Sequence, residues 1–408
     1  MRRLILAFVL LAAPANAQFT IQHGNTLSDL INNLYGGNGI QLKDTGHQAH
    51  FGESKDFQNF SLTLQRVLQS HPLFPIPSAV GLVSYKFNEA TGTYERVQGS
   101  LGPLLADRGA TTGKGTFTVS GTYSVSTFDR INGQDSIELV LPHCLEAACT
   151  FGNPNAPFLL DTIHVNMRLK LRSQALALSA IYGLSDRLDV GVVLPYIRND
   201  LNVLTDARVV VGAGSNPVIH VFDPTVETPG QLGTDTAVGI GDMVARAKMR
   251  LFPKSSAFDA AVLADVSLPT GDKQNFLGTG EVRMKVTAVA STTIRSLIPH
   301  INLGYEANFG EAKLNAIDYR VGSEFAARPT LTISGDILGV IRPNAAKLFQ
   351  TAALNGQALI GRQEIDGAIG GKWQIAKNRA LLFNLLAPLN SRGIRASSVV
   401  TIGVQGTL

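Results

Sequence analysis

From about residue 237 to the C-terminus, apolar and polar residues alternate one for one, in segments separated by turn residues. Met243, Ala245, Ala247, Met249 and Leu251 alternate with Asp242, Arg246, Lys248 and Arg250. Phe258 to Leu268 sets Ala260, Val262, Ala264 and Val266 against Asp259, Asp265 and Ser267. Val282, Met284, Val286 and Ala288 oppose Arg283, Lys285 and Thr287; the last segment sets Val400, Ile402, Val404 and Leu408 against Thr401, Gln405 and Thr407. A period of two puts the apolar side chains on one face of a strand and the polar ones on the other.

Two architectures produce that pattern: a sandwich that buries the apolar face, and a membrane barrel that turns it outward to lipid. Most segments exceed the roughly five or six residues usual for strands and reach the roughly nine to eleven a tilted membrane strand needs. Many apolar positions are Ala or Gly, which fill a sandwich core poorly, whereas lipid has no fixed shape to fill. The connections agree. Those near 377–380, 327–329, 295–298, 252–257 and 184–187 are tight, and those near 391–394, 342–356, 310–315, 269–280 and 200–236 are mostly longer. Outer-membrane barrels alternate short periplasmic turns and longer external loops in this way.

Carried towards the N-terminus, the alternation predicts a strand at about 161–184, a loop at 142–160 and a strand from near Lys114. The expected fold is therefore all-β: a transmembrane antiparallel up-and-down barrel of about twelve strands over 113–408, with both ends in the periplasm. Fourteen is the alternative. Asn132-Gly133 is a hairpin dipeptide, and the apolar phase slips between Leu171 and Leu176; a bulge near Ser173 also explains the slip. Before the barrel, residues 18–112 read as a small mixed α/β segment that plugs the lumen or hangs beneath it. Thr26-Leu27-Ser28-Asp29 resembles a capping box, with Leu27, Leu30, Ile31 and Leu34 at helical spacing. A second helix is predicted from Ser54, with Phe57, Phe60, Leu64, Val67 and Leu68 on one face, and a hairpin at about 79–98.

The N-terminus sets the compartment. Arg2-Arg3, the apolar run Leu4–Ala13 and Ala15-Asn16-Ala17 read as a signal peptide over residues 1–17. Over 408 residues the chain is 45% hydrophobic and only 16% charged, against about 25% charged for a soluble domain. No apolar run of about eighteen residues follows the leader, which excludes a helical membrane protein. A net charge of +4 argues against nucleic acid as a partner. Cys144 and Cys149, separated by four residues in an exported chain, are a disulfide candidate. His143 beside them lacks the further ligands a metal site needs, and His47 and His50 read as loop. No metal or cofactor is expected.

Phe74-Pro75-Ile76-Pro77-Ser78, Leu101-Gly102-Pro103-Leu104-Leu105-Ala106-Asp107-Arg108 and Gly113-Lys114-Gly115 resemble the opening segment of a bacterial outer-membrane transporter family named for the meta-pathway of phenol degradation. That family is distantly similar to long-chain fatty-acid outer-membrane channels. Tyr182–Gly191 with Leu194-Pro195 is similar to its first periplasmic turn; Gly239-Ile240-Gly241-Asp242, Leu268–Asp272 and Leu277-Gly278-Thr279-Gly280 match later motifs. The resemblance implies an outer-membrane barrel passing small, hydrophobic or aromatic solutes, with outer-membrane lipid and the barrel-assembly machinery as its other partners. One departure is the C-terminal Leu408, where such barrels normally end in an aromatic residue.

Inward positions carry the candidate chemistry. From Asp242 onward, seven acids (Asp242, Asp259, Asp265, Glu306, Asp318, Glu324, Asp336) face seven bases (Arg246, Lys248, Arg250, Arg283, Lys285, Arg320, Lys372). Turn geometry sets Arg250 across from Asp259 and brings Asp265 near Arg283 and Lys285, so one reading is structural ion pairing across strands. The other is a basic stripe of Arg168, Lys170, Arg246, Lys248 and Arg283 that attracts carboxylates, as charged rings do in pores, and gives a modest anion preference. A barrel enzyme would need a Ser–His pair on the lipid face, but His164 and His300 fall on the polar face, so no catalytic residues are expected. The remaining alternative is a structural or receptor barrel whose external loops bind a partner.

Overall fold

A computed structural model describes residues 26–32, 34, 42–43, 61, 64, 85–88, 93–96, 100–142, 161–212, 220–222, 230–252, 258–344 and 360–408. A short helix, α1 (Leu27–Asn32), and a two-stranded hairpin of β1 (Tyr85–Asn88) and β2 (Thr93–Arg96) precede one large antiparallel sheet. The sheet comprises β3 (Phe117–Ile131), β4 (Ile137–Pro142), β5 (Thr162–Gly183), β6 (Leu188–Val210), β7 (Gly230–Ile240), β8 (Met243–Arg250), β9 (Phe258–Leu268) and β10 (Arg283–Thr292). It continues through β11 (Leu297–Asn308), β12 (Ala316–Arg328), β13 (Leu331–Ile341), β14 (Gln363–Ala376), β15 (Arg379–Pro388) and β16 (Ile394–Thr407).

Twelve of these strands close into a barrel. The final seam is β16 against β3, with Val400 opposite Val125 and Thr407 opposite Thr118. The two additional strands, β4 and β7, extend the wall beside a tall β5–β6 hairpin that pairs without a break from Gly183–Asp189 to Thr162–Val210. Along β5, β3 pairs from Tyr182 to Leu171 and β4 takes over from Met167 to Thr162. Along β6, β8 covers Leu188 to Val193 and β7 covers Tyr196 to Asp206. Asn132 and Gly133 do adopt the positive φ values, 52° and 80°, of a tight hairpin turn. The hairpin stops after the single pair Ile131–Gln134, and β4 resumes the direction of β3. Twelve spanning strands, not fourteen, is the outcome.

The phase slip near Ser173 has a different cause from the bulge expected there, because β5 keeps its register with β6 through Ser173. Its odd-numbered residues face inward throughout: Ser173, Ala175, Ala177 and Ser179 on one side of the slip, Ile163, Val165, Met167, Leu169 and Leu171 on the other, all buried. The outward residues change from Tyr182, Leu178 and Leu176 to Arg172, Lys170 and Arg168. On β6 the outward series Val190, Val192, Leu194, Tyr196 gives way to Arg198, Asp200 and Asn202 at the same level, since Tyr196 pairs with Leu176 and Arg198 with Gln174. The hairpin thus rises out of an apolar belt into water. The loop expected over 200–236 is correspondingly shorter, with residues up to Val210 and from Gly230 in strands; its outward polar residues had the composition of a loop.

Around the rest of the barrel the alternation carries the expected sign. Leu303, Tyr305, Phe309, Ile369, Trp373 and Ile402 are more than half exposed, while Lys248, Asp265, Glu324, Lys372 and Gln405 are buried. So wide an apolar surface is not compatible with water. Leu303 lies in the middle of β11 on that surface. Leu303→Arg is expected to cost about 2–4 kcal/mol at mid-belt and to depress refolding into lipid vesicles, read by heat-modifiable gel mobility. Unimpaired refolding would show that the belt does not meet hydrocarbon.

The leader, His47, His50, His143, Cys144 and Cys149 lie outside the described residues, as does most of the second predicted helix. Two of its positions, Ser61 and Leu64, are helical and buried. The N-cap half of the capping box forms: the Thr26 hydroxyl accepts the Asp29 N–H at 3.2 Å, and the Asp29 carboxylate accepts from that same hydroxyl at 2.8 Å.

Candidate functional site: the barrel lumen

Residues 100–114 form a strap across the inner wall, close to the end with the tight turns. Leu101 N–H donates to the Thr332 hydroxyl at 2.8 Å, two residues from the β12–β13 turn. The Glu324 carboxylate accepts from the Ser100 hydroxyl and from Arg108, whose Nε lies 2.7 Å away. Asp107 and Asn302 exchange two hydrogen bonds, backbone N–H to Oδ1 at 2.7 Å and Nδ2 to backbone carbonyl at 2.9 Å. The Asp107 carboxylate meets Lys248 Nζ at 3.1 Å and Arg246 Nη1 at 3.3 Å. Burial alone would raise this carboxyl, but the two cations override it and hold its pKa below the usual carboxylate range. Further along, Gly109 N–H donates to the Ser291 hydroxyl at 3.1 Å, and Thr112 binds Asp189 through its N–H and its hydroxyl, at 2.9 and 2.7 Å. Gly109 must be glycine for the strap to lie flat, because a Cβ would collide with the backbone of Asp259 and Ala260.

The wall's own charges are paired between strands, with Lys285 of β10 reaching across β11 to Asp318 of β12. Arg246 holds Asp265 through Nε at 2.7 Å and Nη2 at 2.9 Å; Arg283 meets Glu306 at 3.2 Å, Lys285 meets Asp318 at 3.7 Å and Arg342 meets Glu364 at 3.0 Å. Arg250 is bonded to Asp259 as the turn geometry suggests. The register nevertheless sets it opposite Ala261, so the pair is diagonal. Asp265 does face Lys285 across β9–β10, but its carboxylate is taken by Arg246 on the other neighbouring strand.

The basic stripe is not assembled. Arg168 and Lys170 are exposed on the outward face of β5, because the residues that alternate with them, Leu169 and Leu171, are packed inside. Arg246, Lys248 and Arg283 face inward and are each ion-paired. Asp242, counted among the inward acids, serves a local purpose, accepting from Gly271 N–H at 3.1 Å and from Thr279 N–H and hydroxyl, both at 2.8 Å.

At the opposite end the lumen is apolar. Leu27, Leu30, Ile31 and Leu34 pack with Leu42 and Leu64 against Phe128, Ile137, Leu139, Val165, Met167, Leu201 and Val203 in one buried cluster. The segment is seated by two backbone contacts, Ser28 N–H to the Gln274 carbonyl at 2.9 Å and Leu27 N–H to Asn275 Oδ1 at 3.2 Å. Gln274 and Asn275 belong to the 269–282 connection, which is clasped in turn to the β7–β8 junction. Besides the Asp242 contacts, the Thr270 hydroxyl donates to the Gly241 carbonyl at 2.7 Å and accepts Met243 N–H at 2.9 Å. Gly239–Asp242, Leu268–Asp272 and Leu277–Gly280 are therefore one structural unit. Each is readable singly as turn chemistry, and no spacing within the chain reveals that they bond to one another.

No curated protein has a detectable sequence match to this chain. Among solved structures it is similar to an outer-membrane channel from Pseudomonas putida F1, at 11% identity and a TM-score of 0.43, over 73% of this chain and 97% of that one. It is also similar to the toluene transporter TbuX of Ralstonia pickettii, at 13% identity and a TM-score of 0.35, over 72% and 90% of the two chains. The sequence model of the family described as "Putative MetA-pathway of phenol degradation" matches residues 171–390, from mid-β5 to the end of β15. That span is more than half of the chain and contains the Asp242 clasp, and the protein belongs to this family.

Proposed function

We propose that the protein is an outer-membrane channel for the passive uptake of small hydrophobic or aromatic solutes, narrowed by its own N-terminal segment, residues 18–112. The observation that carries the reading is a closed barrel with its apolar residues outside and its lumen occupied from both ends, by a charged strap and an apolar cap. Tight turns at the strap end support a periplasmic position for that end and an external one for the cap. Export through residues 1–17 and insertion by the assembly machinery into outer-membrane lipid complete the reading. The cap's leucine-rich surroundings favour apolar or aromatic solutes at the entrance. Anion preference loses its support, since two of the five cations lie outside the barrel and the other three are neutralised.

Liposome swelling tests the proposal. Vesicles holding the whole protein should admit small solutes slowly, and vesicles holding a chain without residues 18–112 should admit them several times faster. Exclusion of solute by both would overturn the channel and favour a structural or receptor barrel.

A further inference from the structure

We infer that Arg168, Lys170 and Arg172 form a binding row for the phosphates of a glycolipid in the external leaflet of the membrane. The inference rests on the outer-membrane reading and concerns a surface that the channel itself does not use. The three cations occupy successive outward positions on β5, about 7 Å apart at the rise of a strand. Their level is defined by the aromatic boundary. Leu176, the last outward apolar residue of β5, lies between Tyr123 on β3 and Tyr196 on β6, both exposed. Tyrosines of this kind mark the headgroup depth of a barrel. Gln174, which accepts the Tyr123 hydroxyl at 2.5 Å, is the next outward residue, and Arg172 follows it. The row thus begins where hydrocarbon ends and phosphate groups are found.

The row is also left with its charge unspent. Asp200 faces Arg172 across β5–β6, but its carboxylate is bonded to Arg198 at 2.8 Å, to the Thr236 hydroxyl at 2.8 Å and to Gln174 at 3.3 Å. Glu138 is held by His164 at 2.9 Å and Arg208 at 3.0 Å, and Asp135 lies 3.6 Å from Arg130. Among the described residues, no ion pair reaches Arg168, Lys170 or Arg172. Asp129 borders the row where β3 ends, and with Asp135, Arg168, Lys170 and Leu204 it lines a surface hollow of about 270 Å³. The hollow lies six to eight residues beyond Leu176 along β5, on the headgroup side of the boundary, and its two cations, bordered by the Asp129 and Asp135 carboxylates, suit the phosphate of a headgroup whose acyl chains lie below Arg172. Arg in such a row offers a bidentate fork to phosphate.

The test uses the full-length protein in detergent, with diphosphorylated lipid A as the probe and native mass spectrometry or a binding isotherm as the readout. Each surface cation near an anionic headgroup is worth about fivefold in affinity. The combined variant Arg168→Gln, Lys170→Gln, Arg172→Gln should therefore bind about a hundredfold more weakly while keeping wild-type heat-modifiable mobility, since all three side chains are exposed. Dephosphorylated lipid A should bind wild type as weakly as the diphosphorylated form binds the variant. Equal affinity of wild type and variant, or inorganic phosphate competing at the same concentration as the lipid, would overturn the inference. A protein that is monodisperse in buffer without detergent would instead overturn the outer-membrane reading beneath it.

Discussion

Glu324→Gln should lower the stability of the inserted protein by about 3–5 kcal/mol, the cost of removing one partner from a buried ion pair, and raise single-channel conductance. Glu324 is fully buried and accepts from Ser100 and from Arg108 Nε and Nη2, with His300 Nδ1 at 3.8 Å. Gln retains the volume and one acceptor oxygen but removes the charge that compensates the buried Arg108. A guanidinium cannot shed its proton, so its remaining escape is to water, which means lifting the strap from β12. The Asp107 contacts with Asn302, Lys248 and Arg246 and the Thr112 contacts with Asp189 still tether the segment further along, so loosening is local and the barrel persists. Adding Arg108→Gln to Glu324→Gln should recover most of the stability, because the stranded charge is gone, yet leave conductance high, because the fastening is gone too. A single variant with unchanged conductance would show that the strap does not obstruct the path.

Much of the barrel is legible in one dimension, because alternation along a strand needs no knowledge of its neighbours. Phe258–Leu268 and Val282–Ala290 carry their faces openly, and turn lengths alone order the two ends. Three features resist for separate physical reasons. A period of two assigns residues to faces but not to surroundings. Arg168 and Lys170 therefore read as lumenal, when a change from lipid to water outside β5 had inverted the sense of the pattern. Register depends on turn conformation, and a shift of two residues moved Arg250 from opposite Asp259 to diagonal from it while preserving the ion pair. Long-range partnership leaves no local mark. Asp107 on the strap and Asp242 at the β7–β8 junction look like any polar residue, and only the fold shows that they bind Lys248 and Thr279. The family motifs did point at these positions, since Leu101–Arg108 is the strap and the three glycine-rich stretches are the clasp.

Ile31→Asp should release the apolar cap and increase the flux of small aromatic solutes while leaving barrel stability nearly unchanged. Ile31 is fully buried in the apolar cluster, where an unpaired carboxylate costs several kcal/mol or more. The system has an inexpensive way to avoid that cost. α1 is only six residues long, far below the length at which a helix is stable alone, and it is seated by the backbone contacts of Leu27 and Ser28 to residues 274–275 and by its apolar face. Undocking the helix therefore places the new charge in water and vacates the lumen, whereas the closed sheet keeps every strand pair. Leu201→Asp is the discriminating comparison. Leu201 lies in the same cluster but on β6, opposite Leu171, and a wall residue cannot leave without breaking the β5–β6 ladder. That variant should lose stability instead of gaining flux. Flux through Ile31→Asp equal to wild type, with the barrel intact, would mean that solutes do not pass beneath the helix, and the apolar cap would then be a structural core instead of an entrance.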